Sequence, residues 1–497
     1  MPRCFRLWVV LSFMVSAQPL MAAVDERQVA ALVDAALAAW SVPGAAVVIV
    51  ENDQVVYLRG HGLRRIGEPA QVTPDTIFPL ASCSKPFTST LLAMLVEENR
   101  LDWDDHVRRH LDYFKLADPA ADANVTIRDL LAHRTGLAPH DELWYRGPFR
   151  REELIKRLAF LAPAKSFRST MQYQSMMYTA AGLLAETVMG QRWETLISKR
   201  LLEPLQMKAT TFTTAEAIQA ADVANPHHQR LDGTVFVLPR WYEYAVPDPA
   251  GSINSNARDL GQWLRLQLGQ GKLGERQIVA TDPFVEQHLP QTIIRFDANA
   301  QTLSPDSTYM SYGFGWVIQD HQGEKIISHA GSIDGFRVHI TLVPQRKIGW
   351  AILANLTHTR MNLALSNSLL EKLLGLKERD WNQYYGRLVE KAKAQEKQTI
   401  ASRDRQRKLG LKPTLSLKDY VGFYSDPAYG TLEVRAVGME LRLRWGQMDF
   451  KLNAFDRDLM TVDDPMLGEL PVHFQVRDGS VHSVNFLDRQ FARENRP

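Results

Sequence analysis

The chain has 497 residues, of which 45% are hydrophobic and 23% are charged, and its formal net charge is +2. This length exceeds one ordinary domain, and the composition is that of a globular protein able to bury a sizeable core. The small net charge excludes an electrostatic case for binding nucleic acid or an anionic membrane surface.

Residues 1–23 have the pattern of an export signal. A short basic start precedes the apolar stretch 7–17, which is too short to span a bilayer, and Ala22 and Ala23 are the small residues typical of a cleavage site. We expect a periplasmic or secreted protein whose mature chain begins near Val24. An uncleaved N-terminal anchor is the alternative.

The next region, residues 24–375, changes its pattern along the chain. Helical spacing over 25–39 precedes two strand-like runs, and the stretch from 73 to 268 is mostly helical with Pro and Gly punctuation. This predicts an α+β unit whose antiparallel sheet is built from both chain ends, with the helical region inserted between them. The predicted strands are 45–50, 55–58, 316–319, 325–328, 336–343 and 348–354, and a last helix covers 361–374.

Two further regions follow. Residues 376–416 are dense in charged side chains and read as a partly helical linker. Residues 417–497 contain short alternating runs separated by Gly, Asp and Pro, which predicts a small all-β domain.

Ser82 and Lys85 form a Ser-x-x-Lys motif at the predicted start of a helix whose apolar face includes Phe87, Leu91 and Leu95. Positions three apart lie one helical turn from each other, so the amine can reach the hydroxyl, and a helix N-terminus favours negative charge. A serine hydroxyl needs a nearby base, and lysine becomes one only when burial or charge lowers its pKa. A capping serine followed by a solvated lysine is the alternative interpretation.

Tyr173 stands just before a second predicted helix, in the sequence Tyr173-Gln174-Ser175. A phenol at a helix entrance can reach a shared cavity, where a tyrosinate near Lys85 would act as base to Ser82 and return the proton to the leaving group. A tyrosine that only packs an edge is the alternative.

The sequence His329-Ala330-Gly331 follows the predicted strand 325–328, and Ser332 comes next. A backbone N–H on a strand edge can stabilise an oxyanion. The sequence starting at His321 has the same His-x-Gly spacing but falls in a predicted hairpin turn. We therefore assign His329 to the site and His321 to the turn.

In this order and context, these elements resemble the serine β-lactamase and penicillin-binding-protein superfamily, in its branch of class C β-lactamases, DD-peptidases and family VIII esterases. The resemblance covers about residues 25–374. Supporting segments that are similar to the family are 130–137 (LLAHRTGL), 250–252 (AGS), 257–260 (ARDL) and 312–316 (YGFGW).

The resemblance implies that Ser82 is the acylated nucleophile, that Lys85 and Tyr173 transfer protons, and that the oxyanion hole is formed by the backbone N–H groups of Ser82 and Ser332. His329 would line the opposite wall of the cleft. Neither a metal nor a cofactor is implied. The substrate-binding and oxyanion positions are then Ser175, His329, Gly331 and Ser332.

Two departures from the family pattern bear on the substrate. Ser175 stands where the family often has asparagine, which replaces an amide by a shorter hydroxyl and puts contacts to a substrate amide in doubt. The sequence starting at His329 stands where many β-lactamases have Lys-Thr-Gly, while some related peptidases carry histidine there. Peptidase or esterase chemistry is therefore favoured over efficient β-lactam hydrolysis.

The expected function is a serine hydrolase that forms an acyl-enzyme at Ser82 and acts on small esters, amides or D-amino-acid-containing peptides. The alternative is a penicillin-recognising binding or sensor protein with little turnover, suggested by Ser175 and by the appended β domain. Expected partners are a small molecule or peptide, with no nucleic acid and no membrane span after signal removal. The natural substrate and the oligomeric state are left open.

Other conspicuous residues receive structural interpretations. The pair His227-His228 reads as a loop rather than a metal site, because no third ligand is suggested. Cys83, the one cysteine after the signal, reads as a packed side chain, so no internal disulfide is expected. The basic run 403–408 reads as a solvated face. No Gly-x-Ser-x-Gly or His-Glu-x-x-His motif supports another hydrolase class.

Overall fold

A computed structural model describes residues 24–244, 246–407, 411–464 and 466–495. The expected export signal therefore lies outside the described residues. Numbered in chain order, the strands up to residue 354 are β1 (Gly44–Glu51), β2 (Gln54–Gly62), β3 (Phe78–Pro79), β4 (His227–Gln229), β5 (Val235–Val237), β6 (Asn254–Ser255), β7 (Lys272–Leu273), β8 (Arg276–Gln277), β9 (Thr292–Ile294), β10 (Met310–Tyr312), β11 (Val317–His321), β12 (Glu324–Ile333), β13 (Phe336–Val343) and β14 (Ile348–Ala354).

The main sheet has eight strands in the order β2-β1-β14-β13-β12-β11-β10-β9. Every neighbouring pair is antiparallel, and the N-terminal strand β1 pairs with the last strand β14 along its full length. The predicted α+β architecture, with a sheet assembled from both chain ends, is confirmed.

Helices cover both faces of this sheet. Those of the first unit are α1 (Glu26–Trp40), α2 (Lys85–Glu97), α3 (Pro119–Asn124), α4 (Ile127–Leu131), α5 (Arg151–Lys156), α6 (Ser175–Met189), α7 (Trp193–Ile197), α8 (Glu203–Leu205), α9 (Thr214–Ala217), α10 (Ala257–Leu268), α11 (Thr281–Val285), α12 (Ala298–Leu303) and α13 (Met361–Leu374).

The central strands are buried on both faces because alternate side chains serve two cores. Val47 and Ile352 point to the layer formed by α1 and α13. Val48 and Leu353 point to the opposite layer, where the inserted helical region packs. The continuous apolar runs in β1 and β14 follow from this two-sided burial.

Three sequence interpretations of histidine-containing segments are corrected. The strand predicted to end at 328 continues as β12 to Ile333, because Gly331 and Ser332 keep pairing with β13. His321 ends strand β11 instead of lying in the turn, and it is buried. His227-His228 lies in strand β4, which pairs with β5, and is not a loop.

Tertiary partners explain two of these corrections. The Nε2 atom of His321 lies 3.2 Å from Oε1 of Glu371 in α13. The Nδ1 atom of His227 lies 2.8 Å from the carbonyl oxygen of Asn355, and its Nε2 accepts a hydrogen bond from the backbone N–H of Ile66. These partners are distant in sequence, so no local sequence pattern predicts them.

The remaining chain forms a long helix and a second sheet. Trp381 and Tyr385 anchor the long helix against α13. No helix among the described residues is long and apolar enough to cross a bilayer. The elements are α14 (Trp381–Gln406), α15 (Leu417–Tyr420), β15 (Gly422–Asp426), β16 (Gly430–Val437), β17 (Glu440–Trp445), β18 (Met448–Lys451), β19 (Asn453–Asp456), β20 (Leu459–Asp464), β21 (Gly468–Arg477), β22 (Ser480–Phe486) and β23 (Arg489–Arg493).

These last strands form a nine-stranded sheet in the order β18-β17-β16-β15-β23-β22-β21-β20-β19. All of its pairings are antiparallel. The predicted all-β character of the C-terminal region is confirmed. We call residues 417–495 the C-terminal β unit.

Candidate active site

Ser82 lies in a 3-10 turn, Ala81–Ser84, that leads directly into α2. Ala81 has a φ of 48°, in the left-handed region that residues other than glycine rarely adopt. The turn brings Lys85 back over the serine, so that Lys85 Nζ lies 3.1 Å from Ser82 Oγ. The motif predicted from sequence therefore has the geometry that proton transfer needs.

Lys85 is fully buried, and no carboxylate in the described part of the chain lies within ion-pair distance of it. Its amine donates to the carbonyl oxygen of Ala250 at 3.0 Å and lies 3.4 Å from Ser175 Oγ. Burial lowers the pKa of Lys85 to about 8, and the negative charge of Asp248 acts against that shift. This lysine is therefore much closer to a neutral base than an exposed one.

Tyr173 and Ser175 reach the same place from the start of α6. Gln174 caps that helix by accepting from the N–H of Met176 at 2.9 Å. The Tyr173 ring centroid lies 4.9 Å from Lys85 Nζ. Burial raises the pKa of the Tyr173 phenol, and its hydrogen bond with Ser82 acts in the opposite direction. The phenol consequently stays protonated at neutral pH.

His329 is buried next to Tyr173 and Tyr312. Its Nε2 lies 3.1 Å from the Tyr312 hydroxyl, and its ring packs behind Tyr173 at a centroid distance of 6.4 Å. Burial and the charge of Lys85 lower the pKa of His329 to about 3. It is a neutral, buried packing partner of the tyrosine.

His133 completes this buried group and was given no role from the sequence. Its ring lies 4.4 Å from that of Tyr173 and 4.9 Å from that of Tyr312, measured between centroids. Its Nδ1 accepts a hydrogen bond from the backbone N–H of Gln174. The family-like segment 130–137 contained this histidine, but its neighbours come from two other parts of the chain, around residues 173 and 312.

Ser332 contributes a backbone N–H rather than a buried side chain. The hairpin between β12 and β13 closes at the pair Ile333 and Phe336, so Ser332 occupies the next, non-hydrogen-bonded pair opposite Arg337. In that register the N–H of Ser332 points away from β13, towards the turn that carries Ser82. The two predicted oxyanion donors thus come from neighbouring backbone segments.

Gly331 supports this arrangement by allowing close contact. A Cβ atom at this position would lie 2.1 Å from the carbonyl oxygen of Leu80, just before the nucleophile turn. No side chain can be accommodated there without moving β12 away from Ser82. Its role in this geometry is to permit backbone approach rather than to contact a ligand.

The cleft above Ser82 is narrow. Its volume is about 10 Å³, close to the roughly 10–15 Å³ that one water molecule needs. Trp144 and Tyr244 cover it with stacked rings whose centroids are 6.0 Å apart. The other lining residues are Ala81, Ser175, Asp248, Ala250, Gly251 and Ser332.

Asp248 is a second residue that the sequence did not single out. It is buried and accepts hydrogen bonds from the Thr179 hydroxyl at 3.0 Å and from the backbone N–H of Ala250 at 2.7 Å. Because Ala250 also accepts from Lys85, Asp248 fixes the loop that holds the amine. Burial raises the pKa of this carboxyl group.

Cys83 is buried next to the nucleophile, and its thiol donates to the carbonyl oxygen of His329 at 3.4 Å. Burial raises its pKa, so the thiolate form is disfavoured. This agrees with a packed side chain.

One group of potential metal ligands lies elsewhere, where atoms of Asp306, His321 and Glu371 come within 4.8 Å of one another. Arg379 donates to Asp306 at 3.0 Å, and its backbone N–H donates to Glu371 at 2.8 Å. Protein donors thus satisfy Oδ1 of Asp306 and Oε2 of Glu371.

A family model described as Beta-lactamase matches residues 29–372. The chain belongs to this family. A second model, described as Domain of unknown function (DUF3471), matches residues 406–496, which include the C-terminal β unit.

Several known proteins are similar to this chain. The unguisins hydrolase ungD of Aspergillus violaceofuscus is 28% identical over 80% of this chain and 74% of its own length. Protein flp of Staphylococcus aureus strain MW2 is 25% identical over 67% of this chain and 63% of its own length.

Solved structures with the same fold cover both parts of the chain. The octameric penicillin-binding protein homologue from Pyrococcus abyssi is 22% identical with a TM-score of 0.63, over 94% of this chain and all of that one. The D-amino acid amidase from Ochrobactrum anthropi SV3 is 20% identical with a TM-score of 0.56, over 70% of this chain and 98% of that one.

The Gly331 contact gives a first prediction. Gly331→Ala should lower the rate of Ser82 acylation by on the order of a hundredfold or more, because the added Cβ displaces an oxyanion donor. Labelling by a fluorophosphonate, followed over time, measures that rate. Gly386→Ala, in α14 with open space around it, is the matched control. Equal labelling of both variants would show that β12 need not touch the nucleophile turn.

Proposed function

We propose that this protein is an exported serine hydrolase that is acylated at Ser82 and acts on small esters, amides or D-amino-acid-containing peptides. The observation that carries the proposal is the 3.1 Å approach of the buried Lys85 amine to the Ser82 hydroxyl, with Tyr173 beside both. The names of similar proteins support the substrate range, since they include an unguisins hydrolase and a D-amino acid amidase.

The pKa shifts divide the proton-transfer roles. A lysine with a pKa of about 8 leaves roughly a tenth of the molecules with a neutral amine at pH 7, which is enough for a general base. Tyr173 keeps its proton, because burial raises its pKa. We therefore assign the base to Lys85 and the donor role to Tyr173, in place of the tyrosinate base expected from sequence.

The reaction then proceeds in two halves. Ser82 Oγ attacks the carbonyl carbon while its proton moves to Lys85, and the oxyanion accepts from the N–H groups of Ser82 and Ser332. The leaving group takes a proton from Tyr173, which recovers one from Lys85. Water releases the acyl group by the same transfers in reverse.

A second candidate function is that of a binding or sensor protein with little turnover. The narrow cleft of about 10 Å³ favours it, because little room beside the acyl group for an attacking water slows deacylation. The hydroxyl of Ser175, in place of the amide that the family often has there, also favours the sensor function.

Replacing the nucleophile separates the two candidates. Ser82→Ala should abolish fluorophosphonate labelling and lower ester turnover at least about a thousandfold. Ser89→Ala, whose hydroxyl bonds the carbonyl oxygen of Lys85 within the same helix, should retain both. If Ser82→Ala keeps full turnover, the hydrolase proposal is wrong. If wild type is labelled at Ser82 yet turns over no ester, the sensor function replaces it.

The pH dependence identifies the base. Lys85 must lose a proton before it can accept one, so the acylation rate should rise as pH increases through about 8 and level off above it. His329 stays neutral because its pKa is about 3 instead of 6.5, so no histidine step should occur between pH 5 and 7. Stopped-flow acylation over pH 5 to 11 measures this. A rise that begins only above pH 10 would assign the base to Tyr173.

The export signal leads to a proposal of periplasmic or extracellular location. Asp25 caps α1 by accepting from the N–H groups of Arg27 and Gln28, so cleavage before Val24 or Asp25 leaves the folded unit intact. Mass spectrometry of the secreted protein should find a mature chain that starts at one of these residues. A full-length chain retained in the cytoplasm would contradict this.

A further inference from the structure

The cover of the cleft belongs to residues 140–150, which we call the cover segment. Its Trp144 stacks on Tyr244, and both rings line the cleft that holds Ser82. Its next residue, Tyr145, stacks on Tyr242 with centroids 4.9 Å apart. Because Trp144 and Tyr244 both line this narrow cleft, the position of the cover segment sets the room left for a substrate's acyl group beside Ser82.

The cover segment is tied to the oxyanion hairpin. The Tyr145 hydroxyl donates to both carboxylate oxygens of Asp334, at 2.7 and 2.8 Å. Asp334 and Gly335 form the turn between β12 and β13, so Asp334 lies only two residues after Ser332. A displacement of the cover therefore pulls on the strand that supplies the oxyanion donor.

The cover segment is equally tied to the C-terminal β unit. The N–H of Gln447 donates to the carbonyl oxygen of Arg146 at 2.9 Å. The turn glycine Gly446 has a φ of 56°, and a Cβ there would lie 2.3 Å from that same oxygen. Phe149 packs edge-on against Trp445 at 6.5 Å between centroids. A tight backbone contact thus joins the two units at the cover.

The Arg146 guanidinium connects all three parts. One nitrogen donates to Asp334 at 3.1 Å and the other donates to Asp464 at the end of β20. The Asp464 side chain is 1% exposed and also accepts from the N–H groups of Met466 and Leu467. Removing its charge leaves a largely desolvated arginine with half of its partners.

We propose that Arg146 is a positioning residue through which the C-terminal β unit holds the cover segment in place and thereby restricts the size of the acyl group that fits beside Ser82. The inference rests on the proposed hydrolase function and adds a specificity determinant to it. The C-terminal β unit then influences which substrates react at Ser82 without contacting them.

Asp464→Asn tests this, because it keeps the shape of the side chain and removes the charge. The ratio of kcat/KM for para-nitrophenyl phenylacetate to that for para-nitrophenyl acetate should rise roughly tenfold. This is the size of effect expected when the energetic coupling between two sites, here Asp464 and the cleft, is lost. Asp464→Glu should restore the wild-type ratio. Glu440→Gln, which breaks an exposed ion pair with Lys451 in the same unit, is the matched control.

Hydrogen exchange supplies a readout that does not depend on turnover. In Asp464→Asn, amides of residues 140–150 should exchange faster than in Glu440→Gln, while those of β14 stay protected. The proposal is overturned if either the ester ratio or this exchange matches the control variant. If wild-type protein neither hydrolyses esters nor labels at Ser82, the proposed hydrolase function fails, whatever the exchange shows.

Discussion

The burial of a lysine amine beside a serine hydroxyl is the constraint on which the rest of this structure depends. An ammonium group removed from water without a carboxylate partner is destabilised, so its proton is held weakly. The Lys85 amine donates to the carbonyl oxygen of Ala250 and lies near two hydroxyl groups. Asp248 does not contact the amine but accepts a hydrogen bond from the backbone N–H of Ala250. A direct Asp–Lys ion pair here would stabilise the cation and remove the base.

The aromatic groups around Tyr173 are also buried and uncharged. His133, His329 and Tyr312 surround Tyr173 with neutral rings, and burial lowers the pKa of both histidines. Additional positive charge would lower the pKa of the phenol and favour the tyrosinate over the protonated form. A neutral aromatic shell fixes the phenol in position and leaves its proton available for transfer.

The fold brings these groups together from different parts of the chain. The nucleophile turn and α6 belong to the inserted helical region, whereas Ser332 belongs to a central strand, and Gly331 lets the two approach. The C-terminal β unit then adds a contact from more than a hundred residues away through Arg146. The inserted helical region and the central sheet line the cleft, and the C-terminal β unit contacts the segment that carries Trp144.

The sequence by itself determined the elements whose signals are local. Apolar strand-like runs on either side of residues 344–347 predicted β13 and β14 with their observed bounds, and helical spacing predicted α13. Ser-x-x-Lys placed its two side chains one turn apart. Each of these patterns is a property of neighbouring residues. Only the tertiary structure decided the surroundings. The placement of His329 behind Tyr173, the strand partners of His227 and His321, the support from Asp248 and the Arg146 bridge all depend on contacts between distant segments, which no local spacing encodes.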